Sequence, residues 1–249
     1  KITVQNLMKS ISGKNWEEIK LNKRSIEKTK IDHNLNDIQS KLVISRHFSD
    51  EEIFLIKNQF NFTNPFLNTN DFLSAFKLLK KHIIENNKIL IIGDYDVDGC
   101  LSTSLMVKFL HFNNSKVNYY IPDRFKDGYG ADLNLTKRLI KLHNPKLVIF
   151  LDCGSNSHVA IKYLKSKSIN SLIIDHHNTL IPYPNSDVFI NPKKDVDYKK
   201  YDYLCTTFLT YMVIDLYIKL NKLKYLLKDD QIYVLLATIA DVMPLRGIN

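Results

Sequence analysis

The sequence predicts an α/β protein, a mostly parallel sheet flanked by helices with a helical N-terminal extension. Three observations carry this expectation. From Ile89 onward, short apolar runs alternate with helical patterns at the spacing of βαβ units, which implies parallel strands. Three of those runs end in acids. The chain has 249 residues with 45% apolar content, enough for one large core or two small ones.

Taken in order, Lys1 to about Lys30 is basic and weakly patterned, with Glu17, Glu18 and Glu27 its only acids up to Lys30. It predicts a flexible arm, with a DNA-contacting arm as the alternative. Apolar spacing from Asn36 to Phe60 is roughly helical, and Asn64-Pro65-Phe66 breaks it. Asp71 is placed to N-cap a helix running to about Ile84. Strand Ile89–Ile92 then leads to a helix over Leu101–Phe112. Strand Val117–Ile121 leads, through residues 122–130, to a helix over Ala131–His143. Strand Leu147–Leu151 precedes a helix over Ser157–Ser166. Strand Ser171–Ile174 is followed by a Pro- and Asn-rich loop and a short strand, Val188–Ile190. Helical patterns over Tyr203–Leu220 and Asp229–Ala240 close the chain. This divides it into an N-terminal arm and helical extension, residues 1–68, and a main domain, residues 69–249. There is no internal repeat and no Gly-rich phosphate loop of either common type.

Bulk properties narrow the class. Lys and Arg total 35 against 26 Asp and Glu, a net charge of +9. A basic balance suits an anionic partner, but alanine is scarce while Asn, Ile and Lys abound. That pattern fits an AT-rich genome, so the charge carries little weight. The three cysteines, Cys100, Cys153 and Cys205, are odd in number and lack metal-type spacing, which predicts reduced cytosolic thiols. No apolar run reaches transmembrane length and no signal peptide opens the chain, so a cytoplasmic protein with no membrane partner is expected. The start at Lys1 is consistent with trimming, and the end with a cut.

The chemistry sits where strands end. In Gly93-Asp94-Tyr95-Asp96-Val97-Asp98-Gly99, three acids occupy alternate positions, which in an extended segment point the same way. Strand Leu147–Leu151 ends in Asp152, and strand Ser171–Ile174 ends in Asp175-His176-His177. The C-terminal ends of parallel strands share one edge, so these groups are expected to meet. Crowded carboxylates repel one another unless a cation lies between them. An oxygen-rich set with one or two imidazoles favours Mn²⁺ or Mg²⁺, and up to five carboxylates suffice for two ions, an arrangement suited to phosphoester hydrolysis. His177, if not a ligand, is placed to donate to a phosphoryl oxygen or a leaving group. Arg124 and Lys126 sit beyond another strand's end, where they can meet phosphate. His158 reads as an exposed residue opening a helix, and His47, His82, His111 and His143 have no partner apparent from sequence. Asp241 ends a strongly apolar helix, and its pattern fits a ligand and a solvated helix end equally.

Together, Gly93 to Gly99, Asp152-Cys153-Gly154 and Asp175-His176-His177 resemble the DHH phosphoesterase superfamily. Ile121-Pro122-Asp123-Arg124 with Asp127-Gly128-Tyr129-Gly130, and Thr238-Ile239-Ala240-Asp241-Val242-Met243-Pro244-Leu245, are similar to its RecJ branch of bacterial single-strand-specific 5′ exonucleases; Asn64-Pro65-Phe66-Leu67 also fits. The resemblance covers about residues 60–249. It implies a DHH-type catalytic domain in which Asp96, Asp98, Asp152, His176 and Asp241 hold the metals with Asp94 close by. It further implies that Asp175 supports the site and that His177 faces the scissile phosphate; Arg124, from its place beyond a strand's end, is expected to serve catalysis. The implied activity is hydrolysis of single-stranded DNA from the 5′ end by a monomer, with a single-strand-binding protein or a helicase as candidate partners. Two alternatives are a phosphatase or nanoRNase acting on short oligonucleotides and a decayed, non-catalytic replication or repair module. The family's further domains, which complete a DNA channel, are not in this sequence. The family also has a Gly-rich segment near Leu204-Cys205-Thr206-Thr207; threonines stand there in this chain, a departure that bears on backbone approach to substrate.

Overall fold

The computed structural model describes residues 10–15, 19–57, 63–127, 131–194 and 196–249. Residues 1–9 and 16–18 of the predicted arm, residues 58–60 of the first helical stretch, and the motif residues Gly128, Tyr129 and Gly130 lie outside the described residues. The chain divides into two compact units, Lys1–Asn61 with Ile248 and Phe62–Gly247 with Asn249.

The first unit holds three helices among its described residues. Helix α1 (Lys23–His33) occupies a stretch that the sequence predicts to be a flexible arm. Its one buried residue is Ile26, so it has no apolar stripe for periodicity to detect. End chemistry makes it: the Asn22 side chain accepts from the Arg24 and Ser25 amides, and left-handed Asn34 closes it. The predicted stretch from Asn36 is two helices, α2 (Asp37–Ser45) and α3 (Asp50–Lys57). Reciprocal caps start both, Asn36 with Gln39 and Ser49 with Glu52. Between them His47 takes a left-handed φ of 54°, which no helix continues.

The second unit begins with α4 (Asn70–Ile84). Its N-cap is Thr69, not Asp71. Asp71 falls in the first turn, and its carboxylate accepts from Lys194 Nζ at 2.6 Å. Then come β1 (Lys88–Ile92), α5 (Val97–Phe112), β2 (Lys116–Tyr120), α6 (Leu133–His143), β3 (Leu147–Leu151), α7 (His158–Ser166), β4 (Asn170–Ile174), β5 (Val188–Ile190), α8 (Thr206–Asn221) and α9 (Gln231–Ala240). The strands form one sheet in the order β2-β1-β3-β4-β5 with every pairing parallel. This confirms the predicted class.

Leu90 and Ile92 of β1, Val148 and Phe150 of β3 and Ile173 of β4 pack with Leu139 of α6 and Leu164 of α7 in one core. The opposite layer is α5, α8 and α9, packed on one another, with α4 against α8 and β5. Residues Thr206 to Ile214 of α8 are all buried, which explains its apolar pattern on every side. Edge strand β2 is the exception to burial among the strands, and its Lys116 and Asn118 suit a free edge.

The main boundary difference lies at α5, which starts at Val97, four residues before the predicted Leu101. Asp96 caps it, and Gly99 in its first turn lies against the Asp94 backbone, where a Cβ would meet the Asp94 carbonyl oxygen at 2.5 Å. Asp98 is therefore helical, and the premise of an extended segment through Asp98 is corrected. The order β2-β1-β3 also places a topological switch point between β1 and β3, where open α/β sheets bind ligands.

Candidate metal centre

Each functional side chain is set by a strand end or a helix end. Asp94 follows β1 and is fully buried. Its Oδ1 accepts from the Tyr95 amide at 2.8 Å, whereas its Oδ2 is buried with no hydrogen-bond partner among the described residues. Burial pushes its carboxyl up. Asp96 caps α5 through Oδ1 on the Gly99 amide at 2.9 Å.

Asp98 sits in the first turn of α5, fully buried against the start of α8. The Thr206 amide donates to its Oδ2 and the Thr207 amide to its Oδ1, both at 2.7 Å. Two backbone donors and the positive end of α8 favour the charged form, against burial, which pushes this carboxyl up overall.

Asp152 follows β3, and its amide extends the ladder by donating to the Ile174 carbonyl at 3.0 Å. Its φ is +62°, the left-handed region that a non-glycine residue enters at a cost of about 1–3 kcal/mol. Thr206 Oγ1 donates to its Oδ1 at 2.9 Å, and its Oδ2 is buried without a partner among the described residues. Burial first, then Asp98 and Asp96, push its carboxyl well up.

Asp175 and the paired histidines follow β4. Asp175 Oδ1 accepts from the His176 amide at 2.7 Å, the His177 amide at 3.1 Å and His177 Nδ1 at 2.8 Å; Oδ2 accepts from the Ser155 amide at 3.0 Å. Burial acts to raise this carboxyl, but His177 and Ser155 outweigh it and bring it to about 2. The same bond raises His177, against burial, so its imidazolium is favoured. His176 is buried, with Nε2 at 3.1 Å from Asp241 Oδ2, 3.4 Å from Asp152 Oδ1 and 3.7 Å from Asp98 Oδ2. Asp241 is the C-cap of α9.

These groups form three overlapping sets with ligand atoms within 4.8 Å of one another: Asp94, Asp96 and Asp152; Asp152, His176 and His177; and Asp98, His176 and Asp241. The alternate acids of β1 thus divide, Asp94 and Asp96 toward Asp152, and Asp98 toward His176 and Asp241. The helical turn at Val97 separates them. All six residues expected to hold metal lie in these sets; Asp175 braces His177 from outside them. Arg124 lies outside as well, its guanidinium 5.4 Å from the centre of the Tyr95 ring, between Asp94 and Asp96 in sequence. Among the described residues Lys126 pairs with Asp123, at 4.0 Å, and it is exposed. His158 is exposed as the first residue of α7.

The residues present fit a divalent cation. Asp94 Oδ2 and Asp152 Oδ2 are buried acceptors without donors, in one set of carboxylates. A buried carboxylate oxygen without a donor is costly unless a cation meets it. The donors are oxygen and imidazole nitrogen, and Cys153 and Cys205 are free thiols whose pKa burial raises, which favours Mn²⁺ or Mg²⁺ over a thiolate metal. A cavity of about 410 Å³ opens beside Asp175 and His177, walled by residues 131–133 and 153–160.

Sequence reasoning missed several supports. Ser155 and Asn191 hold the β4 loop: Asn191 Nδ2 donates to Ser155 Oγ and to the His177 carbonyl, both at 2.9 Å. No pattern pointed to them. Thr206 and Thr207 stood out only as a departure from glycine.

The DHH family, N-terminal domain, matches residues 88–242. The single-stranded-DNA-specific exonuclease RecJ of Bacillus subtilis is 32% identical over 163 residues, which cover 64% of this chain and 20% of that protein. Its Haemophilus influenzae counterpart is 30% identical over 184 residues, 70% of this chain and 32% of that protein. The chain thus spans about a fifth to a third of these relatives' lengths. Among solved structures, RecJ in complex with Mn²⁺ from Thermus thermophilus superposes with a TM-score of 0.73 at 19% identity, over 90% of this chain and 31% of that one. Exonuclease RecJ bound to manganese gives 0.66 at 24% identity, over 72% and 45%. Both show the same fold.

Proposed function

The chain belongs to the DHH family, and on that premise we propose that it is the core of a metal-dependent phosphodiesterase that hydrolyses single-stranded DNA from the 5′ end. One observation carries this reading: at one sheet edge, two buried carboxylate oxygens lack donors among sets of acids and imidazoles linked through Asp152 and His176. Two bound Mn²⁺ or Mg²⁺ ions would supply the attacking hydroxide and offset charge on the phosphoryl oxygens. Asp94, Asp96, Asp98, Asp152, His176 and Asp241 hold them. The solved relatives named with Mn²⁺ support the choice of metal.

The chain's own groups do the remaining work. Asp175 holds His177 Nδ1 at 2.8 Å and favours its protonated form, so His177 donates from Nε2 to a phosphoryl or leaving oxygen. Arg124 meets a DNA phosphate from its place over Tyr95. The cavity beside His177 has the size of a small-molecule site and takes nucleotide. In this reading residues 69–249 are the catalytic domain and residues 1–68 its extension. The enzyme works in the cytoplasm as a monomer, on strands delivered by a helicase or a single-strand-binding protein. No described helix is long and apolar enough to cross a membrane.

Single-stranded oligonucleotides labelled at the 5′ or the 3′ end test the proposal. With Mn²⁺, label should leave the 5′-labelled strand as mononucleotide from the first time points, and chelation should stop it. Release from the 3′ end first, or unchanged cleavage in chelator, would overturn it.

A further inference from the structure

Thr206 and Thr207 open α8 at the point where the centre is most deeply buried. Thr206, Thr207, Asp98 and Asp152 are all fully buried. The two threonine amides take one oxygen each of Asp98. Thr207 Oγ1 donates to the Asp98 carbonyl at 3.1 Å, which ties the start of α8 to the start of α5. Thr206 Oγ1 donates to Asp152 Oδ1 at 2.9 Å and spans 54 residues of sequence to do so. A glycine in that position has the same amide but no hydroxyl.

The consequence for Asp152 is directional. A carboxylate on a strand end rotates about its Cβ–Cγ bond unless one oxygen is held. Here the hydroxyl holds Oδ1 and, among the described residues, Oδ2 is left buried without a donor, while Asp152 shares one ligand set with Asp94 and Asp96. Asp152 also belongs to two of the three ligand sets, so its orientation decides whether the sets share a ligand.

We infer that Thr206 is a positioning residue of the metal centre: its hydroxyl orients Asp152 for divalent-metal binding while its amide holds Asp98. The inference rests on the metal reading of the site and goes beyond it by assigning a role to a side chain outside the ligand sets. Groups that orient a metal's ligands typically contribute about 10–100-fold in affinity.

The test is Mn²⁺ titration calorimetry on the metal-free 249-residue chain, with the melting temperature of each metal-free variant measured alongside. Thr206→Val removes the hydroxyl at nearly constant volume, Thr206→Ala removes it without crowding, and Thr206→Ser restores it. Thr206→Val and Thr206→Ala should bind Mn²⁺ about tenfold or more weakly while folding without metal, and Thr206→Ser should bind within about twofold of the parent chain. Parent-like Mn²⁺ affinity in Thr206→Val would overturn the inference. So would a loss in Thr206→Ser equal to that in Thr206→Ala, which would assign the effect to the methyl group. If Thr206→Val and Thr206→Ala do not fold without metal while Thr206→Ser does, the hydroxyl serves the fold and the inference fails. No Mn²⁺ binding by the parent chain would strike the metal reading itself, a result distinguishable from all of these.

Discussion

The two ends of the sheet both bury titratable side chains, and they treat them in opposite ways. At the N-terminal ends of the strands, His82 is buried between Asn170, at 3.0 Å, and Asn87, at 3.0 Å. Asn170 then donates to Asp187 at 2.8 Å, and the Ser171 amide donates to the same carboxylate at 2.7 Å. Each polar side chain in this string has a protein partner. At the C-terminal ends, Asp94 Oδ2, Asp152 Oδ2 and His176 Nδ1 are buried with none. Among the described residues, these are the only buried partnerless atoms on titratable side chains. A satisfied buried network rigidifies a fold, and an unsatisfied one costs stability unless something binds. Pairing, more than burial, separates His82 from Asp94, Asp152 and His176.

The largest expected effect is at the unsatisfied end. In the proposed reading Asp152→Ala removes a ligand shared by two sets, and both Mn²⁺ affinity and turnover should fall by more than about 100-fold, since even an orienting group costs about 10–100-fold. His177→Ala belongs to the same edge but should lose about 10²–10⁴-fold in turnover, as a general acid does, while Mn²⁺ affinity stays near that of the parent. Calorimetry paired with initial rates separates the two variants. Equal loss of metal in both would erase the distinction between ligand and proton donor.

The opposite end should respond in stability alone. His82→Leu leaves the Asn170 and Asn87 side chains short of a partner at a cost of about 1–3 kcal/mol. In a chain of this size that lowers the melting temperature by about 2–4 °C for each kcal/mol. The rise in melting temperature on adding Mn²⁺ should match that of the parent, because ligand binding adds to stability by mass action at a separate place. A halved Mn²⁺ shift would show that the two ends are coupled.

The smallest effect sharpens the criterion. Asp127 lies beyond β2, on the functional side of the sheet, yet it is fully engaged. Tyr120 donates to it at 2.6 Å, the Asp123 amide at 3.0 Å and Arg138 at 2.8 Å. Chiefly through Tyr120, its carboxyl is held below the ordinary value. A carboxyl lowered in the folded state adds stability above the unfolded value of about 3.9, and that stability is lost as pH falls through the folded value. The difference in melting temperature between the parent and Asp127→Asn should therefore be constant near neutral pH and shrink below about pH 4. A difference that widens in acid would reverse the assignment and place Asp127 among the strained acids of the site.

The amino-acid sequence was enough to read the alternation of strands and helices, the parallel sheet, and the edge at which Asp152, Asp175 and His176 meet. These follow from local pattern: an apolar run of strand length reads as a buried strand, and parallel strands end on one side. It also determined the DHH resemblance, which the family match over residues 88–242 bears out. Helix α1 was not legible, because with only Ile26 buried it rests on caps and charge and not on periodicity. The tertiary structure alone decided how the acids divide. The turn into α5 at Val97 sends Asp98 away from Asp94 and Asp96, and α8 receives it with the Thr206 and Thr207 amides. The orienting bond from Thr206 to Asp152 joins residues 54 apart, and the Asn64 bond to the Met212 carbonyl joins residues 148 apart. No local pattern encodes such pairs. They exist because packing α5 and α8 on one face of the sheet leaves buried polar groups that must find donors where the chain happens to bring them.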